Sequence, residues 1–422
     1  MKFHIAINLE RSEPSVDMKE VRDHTLEMVQ MADEAGFEIA WAAEHHALEM
    51  TIAPNPFHMM TWWADHTKNI RLGCGVANAS YWHPIKLAGE AALVDLLSDG
   101  RMDLGLGSGA YQREFDRLRP GLSQKDGWKY LQEMLPLIPK LWAGDVEHNG
   151  EFWQFPTATS CPKPIQDSVP IWVAARSPTT FDHAVDNNCN IMSWPLTMPF
   201  SEAEKYRDLL EDSKARLNPE YSGKFAMMRH AVLYETESDR QAALDAVRQV
   251  LARFGNLMMQ AGDVVNGYPD MVPLETLEGN ARVDPAMLEE NLMFGSPEIV
   301  VEKLKQYQSI GVDAFIYYAS LGLDMERQKR SLRLFIDQVL PAFAEVKEFG
   351  KSERLLYCGS LADDVKEANT YLFGFGALRC QSEEGGHYNA YINVEYLKII
   401  VSSHGGYGVL GNNNSPFLGI GS

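Results

Sequence analysis

Apolar and polar positions along this chain follow two periods, and the two take turns. Phe3–Asn8 reads as a short apolar strand. Val21–Ala35 has the spacing of an amphipathic helix that stops at Gly36. The pair recurs as strand Glu38–Ala43 with helix Phe57–His66, and as strand Ile70–Ala77 with helix Ile85–Leu97, which the Ser98-Asp99-Gly100 turn ends. Strand Met102–Gly107 and helix Trp128–Trp142 follow. Beyond the Pro-rich stretch 156–170, strands Ile171–Ala175, Ile191–Trp194, Ala226–Tyr234 and Phe315–Ala319 alternate with helices Thr180–Asn187, Glu202–Leu217, Asp239–Met258 and Met325–Phe343. Strand–helix units repeated in this way predict a parallel sheet with helices outside. Eight of them close into a (β/α)8 TIM barrel, against which an open doubly wound sheet is the competing arrangement.

Two stretches break the rhythm. An insertion over about 259–295 contains Pro269, Pro273 and Pro285 and little clear periodicity, a length that points to a functional insertion; Ser296–Gly311 then supplies an extra helix. From Lys351 the chain turns rich in Gly and Asn, as in Gly405-Gly406-Tyr407-Gly408 and Asn412-Asn413-Asn414. The expected organisation is a barrel over 1–350 and an accessory tail over 351–422 without a catalytic role.

Composition narrows the function classes. The 422 residues suit a barrel with insertions, and 58 acidic against 38 basic residues give a net charge of -20. Such a chain repels nucleic acid and anionic lipid, so both are poor partners, although a local basic pocket can still hold a cofactor phosphate. The five cysteines are scattered, with no Cys-x-x-Cys pair, which argues against a disulfide framework or a structural zinc site. Met1–Asn8 reads as a strand rather than a signal peptide, and no apolar run approaches membrane-spanning length; a cytoplasmic protein is expected.

Four places hold candidate chemistry. Glu44-His45-His46 ends the second strand, where barrels carry their active sites, and histidine transfers protons near neutral pH. Neighbours on a strand point to opposite faces, so His45 and His46 do not readily share a metal ion and no metal is expected; hydrogen-bonded core imidazoles are the plainer alternative. Gly105-x-Gly107-x-x-Ala110 is a formal but weak nucleotide-binding match on the fourth strand, with no suitable helix opening at Ala110. Its glycines allow either close approach of a ligand or only a tight turn. Trp172–Thr180 joins a strand end to a helix through Arg176, Ser177 and Thr180, a phosphate cradle or simple N-capping. His83, before Pro84, is either catalytic or a capping residue. Met59, Trp62 and Trp63 are most simply core.

Taken in order, these pieces resemble the bacterial-luciferase-like flavin-dependent monooxygenases. The matching text is Ala43-Glu44-His45-His46 and Ala53-Pro54-Asn55-Pro56, then Thr67–Gly73, His83-Pro84-x-x-x-Ala88 and Asp95-x-x-Ser98-x-Gly100-Arg101. Pro162–Gln166, Pro170–Ala174, Gly295-Ser296-Pro297-Glu298 and Tyr307-x-x-x-Gly311-Val312-Asp313 complete it over roughly residues 1–345. The Ala-Pro-Asn-Pro and Trp82-His83-Pro84 variants are similar to a subgroup that contains trigonelline monooxygenase oxygenase components.

The resemblance implies reduced FMN at the C-terminal mouth of the barrel, a C4a-hydroperoxide formed with O2, and oxygen transfer to a small organic substrate, with heteroaromatic compounds as candidates. It implies a separate NAD(P)H:flavin reductase and a homodimer. His45 matches the family's active-site histidine. Arg176, Ser177 and Thr180 fall at the flavin phosphate; Tyr111 and the strand end Val76, Ala77, Asn78 lie along the flavin; Trp194 walls the pocket. A non-prolyl cis peptide is expected around Gly75–Ala77. Where many relatives carry Arg in the Gly-rich loop this chain has Ser108, which leaves Arg176 as the replacement at the phosphate. The alternatives on the same scaffold are an F420-dependent hydride-transfer oxidoreductase and a non-catalytic flavin-binding subunit.

Overall fold

The computed structural model describes residues 1–259, 262–273, 283–319 and 322–344, together with the strand segments 376–381, 387–393, 398–403 and 406–410. The chain divides into two compact units, Met1–Val339 and Leu340–Ser422.

The first unit is a closed barrel of parallel strands: β1 Lys2–Ala6, β2 Ile39–Ala42, β3 Arg71–Asn78, β4 Met102–Gly107, β5 Ile171–Ala174, β6 Asn190–Ser193, β7 Phe225–Leu233 and β8 Ala314–Tyr318. Each pairs in parallel with its sequence neighbours, and β1 pairs with β8, Phe3 opposite Phe315, to close the ring. The (β/α)8 reading therefore holds, and the open sheet does not. Pairing between β3 and β4 is irregular between Cys74 and Ala77, and the non-prolyl cis peptide expected in that stretch joins Gly75 to Val76.

Helices cover the outside: α1 Met18–Glu34, α2 Pro56–His66, α3 Pro84–Leu97, α4 Gln112–Leu118, α5 Gly127–Met134, α6 Leu137–Ala143, α7 Pro178–Asp186, α8 Phe200–Leu217, α9 Glu237–Met259, α10 Pro285–Asn291, α11 Pro297–Ser309 and α12 Met325–Leu334. Their starts follow capping chemistry. Asn55 accepts from Phe57 N at 2.9 Å ahead of Pro56, and Ser177 caps α7 ahead of Pro178.

Three sequence readings need correction. The helix expected over Trp128–Trp142 is two helices broken around Leu135-Pro136, because proline lacks the N–H that would continue the ladder. A helix does open just past Ala110: Tyr111 is the N-cap of α4. Of Met59, Trp62 and Trp63, only Trp63 is fully buried.

The barrel is plugged from below. Trp41 and Trp172 meet edge-to-face with centroids 5.4 Å apart; Trp41 Nε1 donates to His4 Nδ1 at 3.1 Å, and Trp172 Nε1 to Asp103 Oδ1 at 2.8 Å. Gly73 leaves the room that the Trp41 ring occupies. Above this floor, open space lies toward the C-terminal strand ends.

The segment after β2 folds back over that end. Thr51–Ile52 pairs with Leu9–Glu10, and His45 N donates to Ala53 O at 2.8 Å. The expected insertion contains a hairpin, Val264–Val265 with Tyr268–Pro269, whose Gly267 O accepts from Glu49 N at 2.9 Å. Leu48, Met50, Tyr111, Leu257, Phe254, Val264 and Tyr268 form one apolar cluster there. The second unit contains a four-stranded antiparallel sheet, Gly376–Gln381, His387–Asn393, Lys398–Ser403 and Gly406–Leu410, in sequential order.

Candidate active site

A cavity of about 520 Å³ opens above the tryptophan floor, at the C-terminal ends of the barrel strands. Its size is that of a cofactor or small-molecule site, and its position is where barrels build active sites. Trp41, Met192, Met228, Ile316 and Tyr318 supply its apolar walls; Asn8, Glu44, His45, Glu114 and Arg176 supply polar groups.

The carboxylates organise this end. Glu44 is buried and takes three donors: Asn78 N at 2.7 Å, Trp82 Nε1 at 3.0 Å and His46 Nε2 at 2.7 Å. His46 is thereby committed to Glu44. Glu114, on α4, is buried too; it accepts from His46 N at 2.7 Å and lies 3.3 Å from His45 Nδ1. An ionised carboxylate only accepts, so Nδ1 of His45 carries hydrogen toward Glu114 and Nε2 is left to exchange a proton. Burial opposes charge on His45, but the Glu114 carboxylate, with Glu44 behind it, holds its pKa above the ordinary value. The His45 ring lies 5.5 Å from that of Tyr111. The two adjacent histidines are thus unequal, and each has its own carboxylate.

Most of the expected site residues converge. His45, Val76, Asn78, Ser108, Tyr111, Arg176, Ser177, Thr180 and Trp194 all line the cavity. Ala77 does not: it is fully buried in β3 and outside the lining. Gly105 and Gly107 have a packing reason independent of any ligand. A Cβ on Gly105 collides with the Cys74 carbonyl oxygen, and one on Gly107 with the Val76 side chain. Trp194 follows β6, 5.4 Å from Tyr318, and its buried Nε1 has no hydrogen-bond partner among the described residues. His83 caps α3, Nδ1 accepting from Ile85 N at 3.3 Å, and is not in the cavity.

Arg176 is exposed at the mouth, and its guanidinium makes no bond among the described residues. Its charge is felt by the Tyr111 and Tyr206 phenols, although burial dominates both and pushes them up. Ser177 and Thr180 close a capping box on each other at the start of α7. They also line a second recess of about 290 Å³, shared with Ser108 and completed by Gln124, Lys125, Trp128 and Thr179. Sequence reasoning missed Glu114, Gln124 and Lys125. A large aromatic-walled chamber joined to a small recess carrying a cation and hydroxyls fits a planar ring system with a phosphorylated tail. Among the described residues no three His, Cys, Asp or Glu side chains converge as a metal ligand set, and no helix is long and apolar enough to cross a membrane.

The fold and cavity define a barrel enzyme with a cofactor-sized site at the strand ends. Residues 1–314 match the family described as luciferase-like monooxygenase. The oxygenase component of flavin-dependent trigonelline monooxygenase from Acinetobacter baylyi is 37% identical over 348 residues, 82% of this chain and 97% of the relative. The chain belongs to the luciferase-like monooxygenase family. Its fold is shared with the oxygenating constituent of 3,6-diketocamphane monooxygenase from Pseudomonas putida, solved in complex with FMN (TM-score 0.63, 19% identity, 81% and 98% of the two chains). It is shared equally with an F420-dependent secondary alcohol dehydrogenase (TM-score 0.64, 17% identity, 82% and 99%).

Proposed function

We propose that this chain is the oxygenase component of a two-component flavin-dependent monooxygenase acting on a small organic substrate. The observation that carries the reading is His45: a histidine facing the cavity, tied through Nδ1 to buried Glu114, with Nε2 free to exchange a proton. Reduced FMN, when bound, supplies two electrons to O2, so that one oxygen atom enters the substrate and the other leaves as water. The electrons come from a separate NAD(P)H:flavin reductase.

The chain's own residues bind, orient and manage protons. Tyr111, Val76 and Asn78 form one wall of the chamber, and Trp41 and Tyr318 lie along its base. His45, with its pKa raised, delivers a proton from Nε2 and recovers it, while Glu114 keeps the ring in one orientation. The loop Glu44–Ala53 and the hairpin at 264–269 pack together over Tyr111 and limit water at the mouth. The relative named for trigonelline makes small heteroaromatic compounds the first class to screen. Leu93, Leu96 and Leu97 expose an apolar face on α3, consistent with a homodimer.

The test is substrate-dependent oxygen consumption by the purified chain with FMN, NADH and a flavin reductase. Incorporation of one atom from labelled O2 into product is expected. Tight F420 binding with hydride transfer indifferent to oxygen would overturn the proposal in favour of the deazaflavin alternative.

A further inference from the structure

The short helix α4 is held from two sides that belong to different parts of the chain. One flank carries Glu114, which binds His46 N and faces His45. The neighbouring residue, Arg113, reaches from the other flank into the insertion. A helix of seven residues has little stability of its own, so these outside ties fix where it lies.

The tie to the insertion is built around one amide. Asn256, fully buried near the end of α9, uses all its bonding capacity. Its Nδ2 donates to Asp263 O at 3.1 Å and to Asp270 O at 2.9 Å. Its Oδ1 accepts from Gly262 N at 3.0 Å and from Arg113 Nη2 at 3.0 Å. The same Nη2 donates to Gly262 O. Asp270 N donates to Asp263 O at 2.9 Å, so the joint closes the base of the hairpin at 264–269. Tyr111, the N-cap of α4, adds an apolar contact to the same region, its ring stacked on Phe254 with centroids 6.1 Å apart.

Arg113 gains little stability from this arrangement. Its guanidinium is half-buried, and among the described residues it meets neutral oxygens and no carboxylate. Its Nε is buried without a hydrogen-bond partner there. A cation taken out of water without a counter-charge costs free energy. What the arrangement does fix is a distance. Arg113 and Glu114 are consecutive on one helical turn, so a shift of α4 away from Asn256 also moves the carboxylate that lies 3.3 Å from His45 Nδ1. The titratable groups that face His45 are Glu114 and the Tyr111 phenol from the α4 side, and Glu44 from its own strand end. Of these, Glu114 is the one whose place depends on the joint.

We propose that Arg113 is a positioning residue: by tying α4 to Asn256 and Gly262 it holds Glu114 at His45, so that the insertion takes part in setting the proton chemistry of the chamber. The functional consequence rests on the acid–base role given to His45 above. The coupling itself is a property of the flavin-free chain.

The experiment follows the His45 imidazole by NMR titration of the full chain without flavin, its signal identified by its loss in H45Q. Wild type, E114Q, R113M, R113K and R117M are compared. Arg117 is exposed on the next turn of α4 and bonds the Arg113 carbonyl rather than the insertion, so R117M removes a cation from the helix without opening the joint. Removing a positive charge near a histidine by itself raises the histidine pKa, whereas a carboxylate that moves away lowers it. R113M is therefore expected to lower the His45 pKa in the direction of E114Q, and R113K to recover part of the shift. R117M should not lower it. G262A probes the joint from the insertion side: its Cβ meets Asn256 Nδ2 at 3.1 Å and Asp270 Cβ at 3.2 Å, and the His45 pKa should fall again. A thermal melt checks each fold, and G262A decides if R113M does not fold. A His45 pKa that is unchanged or raised in folded R113M, or an equal fall in R117M, overturns the coupling. In the flavin-loaded enzyme R113M should lower kcat by about tenfold or more with the KM for the organic substrate unchanged. A lowered His45 pKa in a chain that shows no flavin-dependent oxygen transfer overturns the flavin reading and leaves the coupling standing.

Discussion

Replacing Glu114 by Gln tests the central electrostatic claim. Gln keeps the shape and can still accept from His46 N, which the carboxylate now does at 2.7 Å. It removes the negative charge 3.3 Å from His45 Nδ1. An opposite charge at this range moves a pKa by about one to three units, or about 1.4–4 kcal/mol. In the wild type burial lowers the His45 pKa, but Glu114 and Glu44 more than offset it, and the net shift is upward. Without Glu114, burial is opposed only by the farther Glu44, and the pKa falls to or below that of a free histidine. Two readouts follow. The limb of the pH–rate profile governed by His45 moves to lower pH. Stability changes in a defined direction as well. A raised folded-state pKa gives the wild type stability that is fully present below about pH 6.5 and fades as pH rises through the folded value. E114Q lacks this and, once the pKa is depressed, loses stability as pH falls through the same region. The gap between the two melting temperatures is therefore widest at the acid end and closes as pH rises above the folded-state value of the wild type. A pH–rate limb that stays in place, or a melting gap independent of pH, refutes the claim that Glu114 sets the protonation of His45.

Four further outcomes are expected. H45A should lower product formation by about a hundredfold or more with far-UV circular dichroism and flavin affinity retained; unchanged turnover removes His45 from the chemistry. E44A orphans two buried donors, Asn78 N and Trp82 Nε1, at about 1–3 kcal/mol each, and releases the half-buried His46 Nε2, so its denaturant midpoint should fall well below that of E44Q. G105A places a methyl against the Cys74 carbonyl, and overpacking of about 1–3 kcal/mol or more should appear as a lower midpoint, with no rescue by saturating flavin. Burial lowers the Lys303 pKa to about 8, so between about pH 8 and 10.4 the unfolded chain binds more protons and wild-type stability gains with rising pH from this residue; K303M should lose that increment in chemical denaturation across the same range.

The fold was legible because its signals are local and repeated. Each of the eight barrel strands lies within a few residues of an apolar run, and each large helix starts at a capping residue or proline. Of the residues that line the cavity, those at or just past strand ends, such as His45, Arg176, Ser177 and Trp194, were the most legible. What escaped depends on contacts distant in sequence. Glu114 is 69 residues from His45; no period or spacing links them, and the short helix α4 was itself hidden behind a Gly-rich stretch. Lys125 sits in a short 3-10 turn between helices, held by bonds to Gln112 and Gly109 that exist only once the Gly-rich loop is folded. The Gly105–Gly107 pair was open to two readings, close approach of a ligand or a tight turn only, and neither includes the neighbouring strand β3, which fills the space a side chain there would need. The first two cases share one cause. Strand-end positions are fixed by the barrel, so sequence order predicts them, while the loops that add a carboxylate or a cation take their places from side-chain hydrogen bonds.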